Sequence, residues 1–185
     1  MSNVVIMKGK DPVETTVKAL ESISSDIEMA LSGEKPILIK PNYINARHPS
    51  TGITTDSGVV EGVVKFLRQT STREVVIGEG SGWGDTFRAF KIAGVEDVSE
   101  RWNVKLVDLN KDTFVEVFPP NPLSLKRVKI SKTCLESTII SVPKLKPHGT
   151  ATVTLSLKNM MGALASKGTM HDGYLSSNIA DLPLS

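Results

Sequence analysis

One cysteine, Cys134, stands in a chain of 185 residues. A lone thiol excludes an internal disulfide, a zinc site built on several thiolates and a complete iron–sulfur cluster held by this chain alone. It fits a reducing, cytoplasmic setting. Aromatic residues are scarce at 5%, and neither sign of charge dominates, with 22 Lys and Arg against 20 Asp and Glu. A dedicated nucleic-acid binder would carry a concentrated basic surface, so the balance argues against that class. No apolar run approaches the roughly 20 residues that span a bilayer, and no membrane association is expected. Met1 to Lys10 reads as a short apolar run ending in a charged turn, without the features of a secretory leader. Internal repeats and low-complexity tracts are also missing.

What remains is an alternation of two periodicities. Asn3 to Met7 reads as a strand. Asp11-Pro12-Val13-Glu14 supplies an N-cap, a proline at the first helical position and a carboxylate at the third. Val13, Val17, Leu20, Ile23, Ile27 and Leu31 then predict one helix of about 20 residues, with Gly33 as its stop. Pro36 to Lys40 and Glu74 to Gly78 are strands, with a helix capped by Asp56 between them. Helices over Asp85–Ala93 and Val95–Arg101 lead to a strand at Val104–Asp108. Phe114–Phe118 and Lys126–Ile130 alternate in period two around Pro119, Pro120 and Pro122, as in a hairpin or edge insertion within residues 111–130. Thr138–Val142 returns to a buried strand, and Asn178–Leu182 reads as a helix end before Pro183-Leu184-Ser185. The class expected is α/β: one three-layer domain over residues 1–185 with a mostly parallel sheet and helices on both faces.

Ligands of open α/β sheets bind at the carboxyl ends of the strands, and polar residues gather at three such ends. Lys40-Pro41-Asn42 follows one strand and leads into a loop with Thr54 and Thr55. Gly78-Glu79-Gly80-Ser81-Gly82-Trp83-Gly84 follows another. Its glycines allow a ligand close to the backbone, though neither the dinucleotide nor the Walker spacing is present. The third end is Pro143 to Gly162, which holds Lys144, Lys146, His148, Lys158 and Asn159 among three threonines. Cations and hydroxyls at this density pack poorly as plain core, so the stretch reads as the floor of a site for an anionic or metal-bound ligand. Lys40 at a strand end could bind a phosphate or carboxylate, or act as a base if desolvated. His148, Lys158 and His171 form the sharpest constellation, with both imidazoles candidates for acid–base work or metal ligation. Asp172 and Tyr174 are candidate partners for His171. Asp56 and Glu61 read as capping and solvated carboxylates, Trp83 and Met160-Met161 as packing residues, and Arg127–Lys132 as a solvated hairpin face.

Lys40-Pro41-Asn42, the Thr54-Thr55 loop, the Gly78–Gly84 loop, Pro143-Lys144-x-Lys146-x-His148 and Leu157-Lys158-Asn159-x-x-Gly162 together resemble the domain of unknown function family 362 from about residue 35 onward. The resemblance implies an archaeal or bacterial source. Many members carry an appended ferredoxin-type module, which implies an iron–sulfur protein as a candidate partner. Members usually continue past the Asn178–Leu182 segment, so the sequence is expected to be a shortened form. A fainter likeness is to the nickel-pincer lactate racemases, in which a histidine, a lysine and a later histidine fall in places comparable to His148, Lys158 and His171. That likeness implies nickel or another metal as cofactor.

These readings converge on a small anionic ligand held by Lys40, Asn42, Thr54, Thr55, Gly80, Ser81, Gly82, Lys144, Lys146 and Asn159. His148, Lys158 and His171 are the candidate catalytic groups, for proton transfer or redox chemistry. The alternatives are a non-catalytic ligand-binding or scaffold module that works with another subunit or as a homo-oligomer, and a metal-handling protein.

Overall fold

A computed structural model describes residues 3–182; Met1, Ser2 and the Pro183–Ser185 end lie outside them. Four strands form one parallel sheet in the order β3-β2-β1-β6: β1 (Ile37–Pro41), β2 (Val75–Glu79), β3 (Lys105–Asp108) and β6 (Thr138–Val142). Register pairs Ile39 with Ile77 on one side and with Ile140 on the other. Successive side chains of a strand face opposite ways, and apolar residues on both faces mark a sheet covered on both sides. Ile37, Ile39, Val75 and Ile77 accordingly join one core with Val60, Val64, Leu67, Phe90 and Val98. Leu38 and Val76 join a second core with Leu109, Ile130, Met161, Leu164 and Ile179.

The first core is roofed by α3 (Ser57–Thr70), α4 (Thr86–Ala93) and α5 (Val95–Trp102), with α1 (Pro12–Glu21) packed on α3 and α2 (Ser24–Ala30) beyond it. Capping is local and legible in the sequence. The carboxylates of Asp11, Asp56 and Asp85 accept the N–H groups of Glu14, Gly58 and Arg88 at 3.0, 2.8 and 2.7 Å, which satisfies otherwise orphaned donors of the first turn. Gly94 ends α4 in the left-handed region at φ 79° and opens α5 directly.

The second core is covered by the antiparallel pair β4 (Phe114–Val117) and β5 (Val128–Ser131), the short α6 (Lys132–Leu135), two 3-10 turns (Met160–Ala163 and Gly168–His171) and α8 (Leu175–Asp181). Asp181 fixes the loop between β4 and β5. Its carboxylate accepts the N–H groups of Leu123, Ser124 and Leu125 at 2.9, 3.0 and 2.8 Å. Burial pushes its pKa up, but those three donors outweigh burial and hold it below the usual carboxylate range. Cys134 sits inside this core, where burial lifts its thiol to about 11, the signature of an inert packing cysteine. Among the described residues no helix is long and apolar enough to cross a membrane.

Two elements differ from the sequence reading. Asn3 to Met7 is not a strand: Ile6 is 95% exposed, and the segment pairs with neither edge of the sheet. Its tie to the fold is a hydrogen bond from Asn3 Nδ2 to Asp26 Oδ2 on α2, at 2.6 Å. A β-branched apolar run without an edge to pair with does not make a strand. The single long helix is broken at Ser22-Ile23, and it stops at Ala30 rather than Gly33. Ser22 Oγ donates back to Ala19 O at 2.7 Å, the local serine bond that competes with helix continuation.

The α1–α3 contact depends on a close approach at Gly62. A Cβ there would stand 2.6 Å from Thr16 Cβ and 2.8 Å from Val13 O. Gly62→Ala is therefore expected to lower stability by about 1–3 kcal/mol despite the better helix propensity of alanine. Urea unfolding of the two proteins measures it, and an unchanged or raised midpoint would show that α1 yields freely.

Candidate functional site

The chain runs from β1 to β2 to β3 in one direction across the sheet and then returns to place β6 on the other side of β1. The reversal falls between β1 and β6, and in open parallel sheets the crevice beyond the carboxyl ends of such a pair is where ligands bind. A cavity of about 700 Å³ opens there. Asn42, Glu79, Lys146, His148, Lys158, Asn159, Lys167 and His171 are among the residues that line it.

Its foundation is a buried ion pair. Lys40, at the end of β1, is 0% exposed. Its Nζ lies 2.8 Å from Glu79 Oε1 and donates also to Asn159 Oδ1 at 3.1 Å and to Pro41 O at 3.2 Å. Glu79 closes β2 and receives the N–H of Gly80 on Oε1 and that of Tyr43 on Oε2, each at 2.8 Å. All three ammonium protons and both carboxylate oxygens of the pair thus have partners, the condition for burying charge without a large penalty. Asn159, on α7 (Ser156–Asn159), bridges the sheet: its Nδ2 donates to Lys40 O at 2.9 Å and to Ser141 Oγ of β6 at 3.1 Å. Asn42 Nδ2 donates to Asn159 Oδ1 at 3.0 Å.

Cations stand above this foundation. A short antiparallel hairpin, β7 (Lys146–His148) with β8 (Thr152–Thr154), carries two of the groups. Lys146 Nζ donates to Asn42 Oδ1 and to Ile53 O, both at 2.6 Å. Burial, then the charge of Lys158, lowers its pKa to about 8. Lys158 is half-buried, burial lowers its pKa, and its hydrogen-bond partner is the thioether of Met161 at 3.7 Å. Lys167 donates to Asn110 Oδ1 at 2.6 Å and to Leu164 O at 3.1 Å, and burial lowers its pKa also. All of these acceptors are uncharged.

His148 is held in one tautomer. Its Nδ1 accepts the N–H groups of Thr150 and Ala151 at 3.2 and 3.1 Å, so the neutral ring carries its proton on Nε2. Burial, followed by the charges of Lys158, His171 and Lys146, lowers its pKa, which favours that neutral form. His148 is therefore a hydrogen-bond donor at Nε2. Metal ligation through Nε2 would require the proton on Nδ1, which here faces two backbone donors. The His171 ring lies 6.3 Å away, centroid to centroid. Among the described residues no group of three or more His, Cys, Asp or Glu side chains is placed to hold a metal ion.

The structure thus gathers Asn42, Gly80, Gly82, Lys146, His148, Lys158, Asn159 and His171 around one cavity. Lys40 supports that cavity from beneath instead of lining it. Thr54, Thr55 and Ser81 are buried braces. Thr55 Oγ1 donates to Val142 O at 2.8 Å and accepts the N–H of Asn42, Thr54 Oγ1 donates to Arg47 O, and Ser81 Oγ donates to Tyr43 O. Lys144 is not part of the lining. Asp172 and Tyr174 are exposed, and neither hydrogen-bonds the His171 imidazole. Trp83 is no packing residue: it is 75% exposed and lines the cavity. Sequence reasoning passed over Glu79 and Lys167. A carboxylate closing an apolar strand beside a strand closed by lysine is the signal that could have found Glu79. Nothing local marks Lys167.

The model of the family described as Domain of unknown function (DUF362) matches residues 37–184. The chain belongs to that family. The match takes in all four strands of this chain's parallel sheet and every cavity-lining residue named above. The chain is also 21% identical over 132 residues to "Thylakoid-associated protein sll1697" of Synechocystis sp. (strain ATCC 27184 / PCC 6803 / Kazusa), a match over 71% of this chain and 40% of that protein. The chain therefore spans well under two thirds of that relative. No solved structure matches. The likeness to the nickel-pincer racemases rests on residue spacing alone.

The buried pair generates a stability test. Lys40→Met leaves the Glu79 carboxylate buried without its cation and is expected to cost about 3–5 kcal/mol. Adding Glu79→Gln should recover part of that loss, and a double-mutant cycle in urea measures the coupling. Additive losses would show that the two charges do not depend on each other.

Proposed function

We propose that this chain is a ligand-binding α/β protein whose cavity at the β1–β6 reversal takes a small anion. The observation that carries the reading is Lys158, a half-buried ammonium whose hydrogen-bond partner is a thioether. A buried cation is ordinarily paired, and an incoming carboxylate, phosphate or sulfate supplies the missing partner. Lys146, Lys167 and the Nε2–H of His148 add donors from the surrounding lining. The one carboxylate among the lining residues, Glu79, is already neutralised by Lys40.

Lys146 supplies the candidate proton-transfer chemistry. A pKa of about 8 lets it exchange a proton near neutral pH. Two of its Nζ directions are held by neutral oxygens, so a third remains for a ligand. A cytoplasmic location belongs to the same reading and rests on the lone, buried, inert cysteine.

The pH dependence follows from the sign of the shifts. Lys146 and Lys158 both have folded-state pKa values below those of the unfolded chain, so desolvation, and at Lys146 also the charge of Lys158, opposes their charged forms. An anion reverses that penalty and is bound best where the lysines are protonated. Sulfate is the suitable probe, because its own charge is constant from pH 7 to 9. Its affinity, measured by isothermal titration calorimetry, is expected to fall about tenfold over that range as Lys146 passes through its pKa of about 8. Its stabilising effect on the thermal midpoint should shrink in parallel.

Lys158→Met and His148→Ala should each weaken sulfate binding by about tenfold or more while leaving the thermal midpoint of the free protein unchanged or, for Lys158→Met, slightly raised. A wild-type protein that binds no anion, or variants that lose stability while keeping affinity, would overturn the reading. Binding with no turnover of any anion would assign the chain to the non-catalytic class.

A further inference from the structure

The cavity is larger than a bare oxyanion requires, and part of its lining has another character. About 700 Å³ lies within the range of roughly 300–1,000 Å³ typical of pockets that enclose a drug-sized organic ligand. Besides the cations, it is lined by Ile44, Ile53, Pro147 and Trp83. Tryptophan is usually well buried and its ring usually packed. Trp83 is 75% exposed and makes no ring or cation contact with any described residue. The other tryptophan, Trp102, is engaged elsewhere, donating Nε1–H to Glu61 at 2.9 Å.

The loop that presents Trp83 is anchored. Its backbone N–H donates to Ile44 O at 2.9 Å, and neighbouring Ser81 is tied through Oγ to Tyr43 O at 2.7 Å. A Cβ at Gly82 would press to 3.2 Å on Ile44 Cγ1, so the loop lies tight against the segment leaving β1. Gly84, at φ +88°, turns the chain away into the Asp85 cap of α4. The indole is therefore offered at a defined place on the cavity lining with its face unoccupied.

We propose that the ligand of this cavity is an anion joined to a planar aromatic or heteroaromatic ring, with the charged group on Lys158, Lys146 and His148 and the ring stacked on Trp83. The inference rests on the anion-binding reading and adds to it the ligand's second half. Two sources share this chemistry, a phosphate on a heterocycle such as a nucleotide and an aromatic carboxylate.

The test titrates the full chain with sulfate, adenosine, adenosine 5′-monophosphate, acetate and benzoate by calorimetry, and follows tryptophan emission excited beyond the absorbance of the ring-bearing ligands. At least one ring-bearing anion is expected to bind about tenfold or more tighter than the matching ring-free anion, and to quench emission. Trp83→Ala should abolish that gain and the quenching while leaving sulfate affinity unchanged, and Trp83→Phe should keep most of the gain. The arm that responds identifies the charged group as phosphate or carboxylate. Ring-bearing anions that bind no tighter than sulfate and acetate, or that lose no more than sulfate does in Trp83→Ala, overturn the proposal and leave the anion site standing. A wild-type chain that binds no sulfate, or that binds adenosine as tightly as its monophosphate, sinks the anion reading and this inference with it.

Discussion

A lysine and a glutamate taken out of water together must find, inside the protein, everything that water would have given them. The Lys40–Glu79 pair does so from three parts of the chain: the end of β1 with the carbonyl of Pro41 and the backbone of Tyr43, the end of β2 with the backbone of Gly80, and the amide of Asn159. Removing one partner of such a pair generally costs far more than the intact pair contributes. The arrangement therefore works less as a source of stability than as a constraint on register and on loop path. It dictates that β1 and β2 end level, that α7 returns across the sheet, and that Asn42 stands beside Asn159. The cavity floor is what those requirements leave above them.

The same constraint explains why two glycines sit where they do. A Cβ at Gly162 would collide with Glu79 Oε1 and come within 2.7 Å of Lys40 Nζ. A Cβ at Gly80 would collide with Gly162 O and come within 2.8 Å of Asn110 Oδ1. Two stretches of backbone thus close over the ion pair and each needs the other to lack a side chain. Asn110, touched by this contact, also holds Ser81 O and the ammonium of Lys167.

Much of the scaffold was legible in the sequence because its determinants are local. Asp11, Asp56 and Asp85 mark helix starts through bonds spanning two or three residues, and apolar runs such as Ile37-Leu38-Ile39 mark strands buried on both faces. Where the determinant is not local, the reading failed. Asn3 to Met7 has strand composition, but a strand exists only against a partner. The pairing of Lys40 was not legible because its compensating carboxylate lies 39 positions away. Trp83 looked like a packing residue because aromatic identity says nothing about which side of the fold a loop faces. For the cavity, the sequence pointed to three loops that the structure brings together and to eight of the nineteen residues that line it, but not to which of the charges are already paired.

That division can be argued from acceptors. Lys40 is bound to a carboxylate, and its charge is spent beneath the floor. The ammonium groups of Lys146 and Lys167 reach carbonyl and amide oxygens, and that of Lys158 reaches a sulfur. Neutral acceptors satisfy hydrogen-bond geometry but leave net charge in place. Burial, joined at Lys146 and His148 by repulsion from neighbouring cations, then appears as lowered pKa values at Lys146, His148, Lys158 and Lys167. A fold built for stability alone would place carboxylates there, as it does at Lys65–Glu14 and Arg101–Glu61 on its surface. Cations held together at a cost, above a floor where charge is fully balanced, are the arrangement expected when the balancing negative charge arrives with the ligand.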